Sequence, residues 1–462
     1  SANEQGVAFA SELGALTSCG WVGKTIDRCA LNGLFTFGAV PQPQTIYTDV
    51  LAAPPGHILT FSLVSNTVQL VSSKKYCELY ENLTINGIDY DSAVKQLRTK
   101  LEDVIALNRV ADTEVGCFLS GGIDSTAILA LMSQQSDTPI KAFSLAFAEE
   151  DLDESHIAEA TAKAYGAEFH KITLNDADVL SYFKAYIAGI DQPSIDGFNT
   201  FVVSKIAAEY VKVTLSGLGG DELFLGYRFY RDLLFPPVPH PILKLFRPLL
   251  WALYNVYSKQ KLRALLAKSL NISDAVNTMR TLYTGAQKHW KIRDCKNYTE
   301  ITKVNCNSYS SGQALSIHEL NHYMRNTLLR DCDVVSMRHA LEVRPPLLDH
   351  ELVRFILELP DHYKMDEKSS KKIFIDAVKD LLPGAVLNNP KRGFEMPYAR
   401  WMNSALNDLI ANAWQDARAG DLFKTGFIHS MRWKSAAKTL KRYHWLPCVT
   451  LLWYLHQIDV EA

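Results

Sequence analysis

The chain has 462 residues, of which 47% are apolar and 21% charged, with a formal net charge of -2. That length exceeds what one compact core accommodates, so two or three domains are expected. The balanced charge excludes a protein organised around a global basic field for nucleic acid. Eight cysteines without a CxxC or a paired spacing argue against a disulfide framework or a structural zinc site. They point to reduced thiols in a cytoplasmic protein.

In chain order, residues 1–85 read as β-rich and turn-rich. Short strand-like runs at 7–10, 45–47 and 57–61 are punctuated by Pro41, Pro43, Pro54, Pro55 and Gly56. No N-terminal stretch has the sections of a signal peptide. From Asp91 the pattern turns helical, with Val94, Leu97, Leu101, Val104 and Ile105 on one face. This makes 86–90 a linker and 86–462 a second domain. Strands at 115–119, 140–147, 169–174 and 211–215 alternate with helices at 126–132, 176–190 and 199–210, and Asp153 caps a further helix to about Tyr165. That βαβα order predicts an α/β fold, a parallel sheet covered on both faces with ligands beyond the carboxyl ends of its strands. Residues 228–462 read as mostly helical. Within them 241–257 is the greasiest stretch, broken by Lys244 and Arg247 and too short to span a bilayer. It reads as a buried helix or a contact between two copies, as in a homodimer, with a membrane surface as the alternative.

The chemistry concentrates in two glycine turns. The first is Leu119-Ser120-Gly121-Gly122-Ile123-Asp124-Ser125-Thr126. An apolar strand stops, two glycines expose backbone N–H groups, and a helix begins, which is a cradle for phosphate oxygens. Asp124 would repel phosphate unless a divalent cation joins them, and Mg²⁺ suits carboxylate-plus-phosphate ligation. No lysine stands where the Gly-Lys-Ser/Thr nucleotide loop requires one. The second turn, Ser216-Gly217-Leu218-Gly219-Gly220-Asp221-Glu222, also follows a strand. Asp124 and Asp221 would therefore hold Mg²⁺ on a polyphosphate from two sides.

The first turn resembles the Ser-Gly-Gly-x-Asp-Ser loop of ATP pyrophosphatases. The two turns together are similar to those of the asparagine synthetase family. The resemblance continues through Ser336-Met337-Arg338-His339-Ala340-Leu341-Glu342-Val343-Arg344-Pro345-Pro346-Leu347-Leu348-Asp349-His350 and Pro390-Lys391-Arg392-Gly393-Phe394. It implies that Leu119, Ser120, Gly121, Gly122, Asp124, Ser125 and Leu145 hold ATP, with Ser216 and Gly217 near the adenylate. It also implies that Lys391 stabilises charge on the α-phosphate. Arg344 and Asp349 are expected to fix a loop as a buried pair, and Asp331 and Asp333 either to reach the site or to cap a helix. The polar turn of Asp191, Gln192, Ser194, Asp196 and Asn199 either faces substrate or caps a helix. The implied partners are a carboxylic acid, aspartate or a relative, and ammonia or an amine.

Two departures qualify this resemblance. Family members place glutamate after the Ser-Gly of the second turn, where it deprotonates ammonia. Leu218 stands there and cannot do general-base work, which leaves Glu222 as the nearest carboxylate. Residues 7–85 resemble only the C-terminal part of the glutaminase half, in Phe9-Ala10-Ser11-Glu12-Leu13 and Pro54-Pro55-Gly56-His57. The chain opens Ser1-Ala2-Asn3 without the nucleophilic N-terminal cysteine, and Cys19 is internal, so no release of ammonia from glutamine is expected of it. A separate glutaminase chain, free ammonia or an amine would then supply nitrogen.

Overall fold

Five parallel strands form the central sheet of the computed structural model, in the order β7–β6–β5–β8–β9. They are β5 (Val115–Phe118), β6 (Lys141–Phe147), β7 (Glu168–Leu174), β8 (Val213–Leu215) and β9 (Glu342–Arg344). The structure describes all residues except 4–5, 65–66, 78, 148–154, 236–239, 258–259, 283–289, 292–307, 389–395 and 461–462. Val115 pairs with Val213 and Cys117 with both Leu215 and Ala142, so β5 lies between the strand that follows it and the strand that starts the other half. The chain order therefore reverses between β5 and β8. In sheets of this kind such a reversal is where a ligand is expected, beyond the carboxyl ends of the strands.

Apolar side chains explain why the layers close. Helix Tyr90–Asn108 buries Ala93, Leu97, Leu101, Val104 and Ile105, the face its periodicity marks, and Asp89 caps it through the Ser92 N–H. Helix Ile123–Gln134 is buried nearly all round, as a helix between a sheet and its neighbours must be. A continuous helical run from Ser311 to Met337, wound in the wider π manner over Leu320–Leu329, leads into β9. No described helix is long and apolar enough to cross a membrane.

Among the described residues, four strands occur before residue 85. They are β1 (Ala2–Asn3), β2 (Gly6–Val7) and the hairpin β3 (His57–Val64) with β4 (Thr67–Lys75). Of the runs expected there, only 57–61 is a full strand, and within 45–47 Tyr47 makes an isolated bridge to Ile26. Two helices, Leu13–Ser18 and Arg28–Phe37, occupy sequence read as turn-rich. The second is bracketed by an Asp27 cap and a left-handed Gly38, the usual start and stop signals. Leu31, Leu34, Phe35, Ile46 and Tyr47 share one core with Phe198, Trp401, Trp414, Trp445 and Trp453, so the first 50 residues pack against the last hundred.

Three expectations are corrected here. Cys29 is disulfide-bonded, whereas Cys19, Cys77, Cys117, Cys332 and Cys448 are free. No paired spacing around Cys29 marks it in the sequence. The greasy stretch is not a buried helix: within His240–Leu245 and Arg247–Tyr257, Ile242, Leu245, Phe246, Leu249 and Trp251 are exposed. Arg344 and Asp349 do not pair with one another. Arg344 binds Glu342 and the carbonyls of Asn108 and Val110, while Asp349 caps helix His350–Leu357. Asp153 lies outside the described residues.

Candidate active site

Both glycine turns sit at the strand-order reversal. Leu119 leaves β5 with its N–H donating to the Phe143 carbonyl, and Ser216 leaves β8 with its N–H donating to the Arg344 carbonyl. Past Leu119 the chain turns through Gly121, whose φ of +76° is a left-handed conformation that favours glycine. Ser125 reaches back from the helix. Its Oγ accepts from the Ser120 N–H at 3.2 Å and lies 3.1 Å from Ser120 Oγ, which itself accepts from the Gly122 N–H. This hydroxyl pair fixes the turn by accepting from two of its backbone N–H groups.

The two turns touch. A methyl at Gly217 would stand 3.1 Å from Asp124 Cβ, and Gly220 lies directly against the Asp124 carboxylate. Asp124 and Asp221, from turns about a hundred residues apart, meet at one ammonium. Lys371 Nζ stands 2.5 Å from Asp124 Oδ2 and 2.6 Å from Asp221 Oδ1. The lysine side chain is 4% exposed and the two carboxylates 21%. Burial works against the charged lysine, but the two carboxylates outweigh it and hold its pKa above the usual value. Lys371 opens helix Lys372–Val378 with a φ of +55°, an uncommon conformation for a side chain of this size, and its N–H donates to the Phe224 carbonyl. Sequence reasoning missed this residue. It sits in Ser369-Ser370-Lys371-Lys372, where one lysine of a pair is buried and nothing in the spacing says which.

Behind the second turn lies a buried polar network. Glu222 is 2% exposed and accepts the Tyr227 hydroxyl at 2.7 Å. Burial, reinforced by the Asp221 charge, pushes its carboxyl up to about 7. Arg280 forms a two-pronged bond to Glu319, with Nη2–Oε2 at 2.7 Å and Nε–Oε1 at 3.0 Å, and stacks 3.8 Å over the Tyr323 ring. A cavity lined by Arg280, His318, Tyr323 and Asn326 measures ≈ 30 Å³, room for about one water and not for a carboxylic-acid substrate.

The structure divides the remaining candidates. Asp331 is buried in a second cluster, where it accepts from Ser194 Oγ and from Arg330 Nη1 at 2.9 Å, and Arg330 also binds Asp191. Burial outweighs the Arg330 charge and pushes the Asp331 carboxyl up to about 7. No described contact joins it to Asp124, Asp221 or Lys371. The polar turn that includes Asp191 ties the N-terminal segment down. Asp191 accepts from the Leu13 N–H, Gln192 from the Ile46 N–H, and Ser194 donates to the Gly38 carbonyl. Asn199 Oδ1 is buried without a described partner. Leu145 is partly buried on β6, paired with Ile172. Leu218 is partly buried beside Gly217. Lys391 lies outside the described residues.

The arrangement fits a divalent cation in its donor set: two carboxylates, from separate turns, converge on one centre of positive charge, and oxygen ligands of this kind suit Mg²⁺. Comparison with known proteins agrees with the fold. The asparagine synthase family model matches residues 96–455, and the glutamine amidotransferase domain model matches residues 1–77. Asparagine synthetase [glutamine-hydrolyzing] 1 of Bacillus subtilis is 26% identical over 453 residues, covering 94% of this chain and 70% of its own length. A putative asparagine synthetase [glutamine-hydrolyzing] of Mycobacterium tuberculosis is 27% identical over 455 residues, covering 94% and 68%. Amidase chyE of Penicillium rubens is 24% identical over 452 residues, covering 84% and 66%. Because the turns that meet at Lys371 lie inside the first matched stretch, and that stretch takes in most of the residues, the chain belongs to the asparagine synthase family.

Proposed function

We propose that this chain is an ATP-dependent carbon–nitrogen ligase that activates a carboxylic acid as its acyl-adenylate and releases AMP and pyrophosphate. The observation that carries the reading is the convergence of Asp124, Asp221 and Lys371 at the strand-order reversal. The turn of Ser120, Gly121 and Gly122 lines the place for a triphosphate, whose oxygens would replace the hydroxyls of Ser125 and Ser120 that now accept from the Ser120 and Gly122 N–H groups. Asp124 and Asp221 hold Mg²⁺, which when bound neutralises the charge of the leaving pyrophosphate. Lys371 supplies a second, resident positive charge at the same place, in a site mostly sheltered from water. Lys391 is the further cation that family likeness assigns to the α-phosphate.

Two bond exchanges follow. A carboxylate oxygen of the acid attacks the α-phosphorus while the bond to the β-phosphate oxygen breaks, and pyrophosphate leaves. A nitrogen nucleophile then attacks the acyl carbon, its bond to the AMP oxygen breaks, and the nitrogen gives up a proton. Glu222 is the proton acceptor we assign, since its carboxyl is poised near neutrality and Leu218 has no titratable group. Aspartate or a related acid is the substrate class, and ammonia or an amine is the donor. The exposed Ile58, Leu63, Leu70 and Val71 of the β3–β4 hairpin support a reading in which further glutaminase polypeptide packs there, in the same chain or a separate one.

Pyrophosphate release measured across a panel of acids, each with ammonium or an amine, tests the reading and sorts the donors. Mass spectrometry of the spent nucleotide should find AMP. ADP in its place would sink the proposal.

A further inference from the structure

Between Asp232 and Asp274 the chain carries no acidic residue, yet it carries six basic ones: Lys244, Arg247, Lys259, Lys261, Arg263 and Lys268. A formal +6 over 41 residues stands out in a chain whose total is -2. Helices His240–Leu245 and Arg247–Tyr257 occupy the middle of this segment. Ile242, Leu245, Phe246, Leu249 and Trp251 are 49–77% exposed there, and Lys244 and Arg247 are exposed among them. Leu243 is buried and anchors the first helix, and helix Gln260–Lys268 packs beneath, burying Leu266 and Ala267. Five large apolar side chains in ten residues form a patch that the rest of the described chain does not cover.

The geometry points to docking of this helix pair on an anionic lipid bilayer. Leucine, phenylalanine and tryptophan flanked by lysine and arginine match the boundary between headgroups and acyl chains, where aromatic rings and cationic stems are both accommodated. The absence of carboxylates removes the repulsion that an anionic surface would exert on a mixed-charge patch. The same charge argues against a second copy of the chain, since a two-fold contact would set Lys244 and Arg247 near their own equivalents. Neither helix spans the bilayer, so the association is peripheral and reversible.

Co-sedimentation of the full chain with phosphatidylcholine vesicles, with and without phosphatidylglycerol, tests this directly. Binding is expected only with the anionic lipid and should weaken with salt. Lys244→Glu with Arg247→Glu should lower the partition coefficient on the order of tenfold or more. Leu249→Asp with Trp251→Asp should bring it to background. Both variants change exposed side chains, so their circular dichroism and ATP-dependent pyrophosphate release without vesicles should match the parent. Failure of the parent to bind anionic vesicles, or binding that survives Leu249→Asp with Trp251→Asp, would overturn the proposal. A dimer in vesicle-free sedimentation that this pair of substitutions dissociates would overturn it too, by giving the patch to a second copy. Loss of pyrophosphate release in the parent would sink the enzymatic reading and leave the lipid result standing.

Discussion

A methyl group placed on Gly220 would come within 2.4 Å of Asp124 Oδ1. The second glycine turn is therefore seated on the carboxylate of the first, and the space between them admits no side chain. Gly220→Ala must displace Asp124 or the turn itself. We expect it to lower pyrophosphate release by about 10²-fold or more, the scale of losing one fixed group at a charged transition state. Steady-state kinetics against a parallel Gly217→Ala, whose methyl would meet Asp124 Cβ at a looser 3.1 Å, provides the check. The first should be the more damaging.

Removing the ammonium tests the centre in a different way. Lys371→Met leaves Asp124 and Asp221 facing each other without their shared cation. Loss of one partner from a largely buried ion group costs about 3 kcal/mol of stability, read from urea unfolding. The same variant should bind Mg²⁺ more tightly in the absence of nucleotide, because the metal no longer competes with a resident charge. Calorimetric titration showing unchanged or weaker Mg²⁺ binding would refute the assignment of both carboxylates to the metal.

Glu222 makes a prediction about pH. Its folded carboxyl lies at about 7, above the ordinary 4.5, so the native state holds a proton that the unfolded chain has already released. This contribution to stability is complete below about 4.5 and is lost as pH rises through 7. Activity runs the other way, since the proton acceptor works only when ionised and turnover should climb through that range. Glu222→Gln should flatten the acid limb of the rate profile and reduce the pH dependence of unfolding. A profile with its limb intact would remove Glu222 from proton transfer.

Arg330 holds Asp191 and Asp331 together, with all three side chains at most 13% exposed. Arg330→Ala strands two buried carboxylates, and the loss should be about 3–5 kcal/mol where both remain charged. The Asp331 carboxyl, pushed up to about 7, takes up a proton as pH falls, so the deficit should shrink between pH 8 and pH 6. Urea unfolding at the two values measures it. A deficit that does not depend on pH would mean that the arginine acts through packing alone.

What the sequence made legible followed from how local the signal was. Ser120 to Ser125 and Ser216 to Glu222 each combine a strand end, glycines and a carboxylate within a few residues, so both turns and their sheet could be read before any fold was known. Lys371 could not, because its role depends on a contact with residues 150 and 247 positions away. Helix Arg28–Phe37 had its Asp27 and Gly38 signals in view, yet neighbouring prolines suggested turns. The stretch at 241–257 reads equally as a buried helix or as a surface covered by another body, because greasy sequence alone does not say what covers it; the exposure of Leu245, Leu249 and Trp251 removes the first.

The shared core of the first 50 and last hundred residues bears on how this polypeptide acquires its shape. Phe35 and Tyr47 can meet Trp414, Trp445 and Trp453 only after the long stretch of chain between them has been synthesised. Contacts so distant in sequence carry a large loop-closure cost and form late. During synthesis these aromatic residues therefore await partners that arrive with helix Trp445–Asp459.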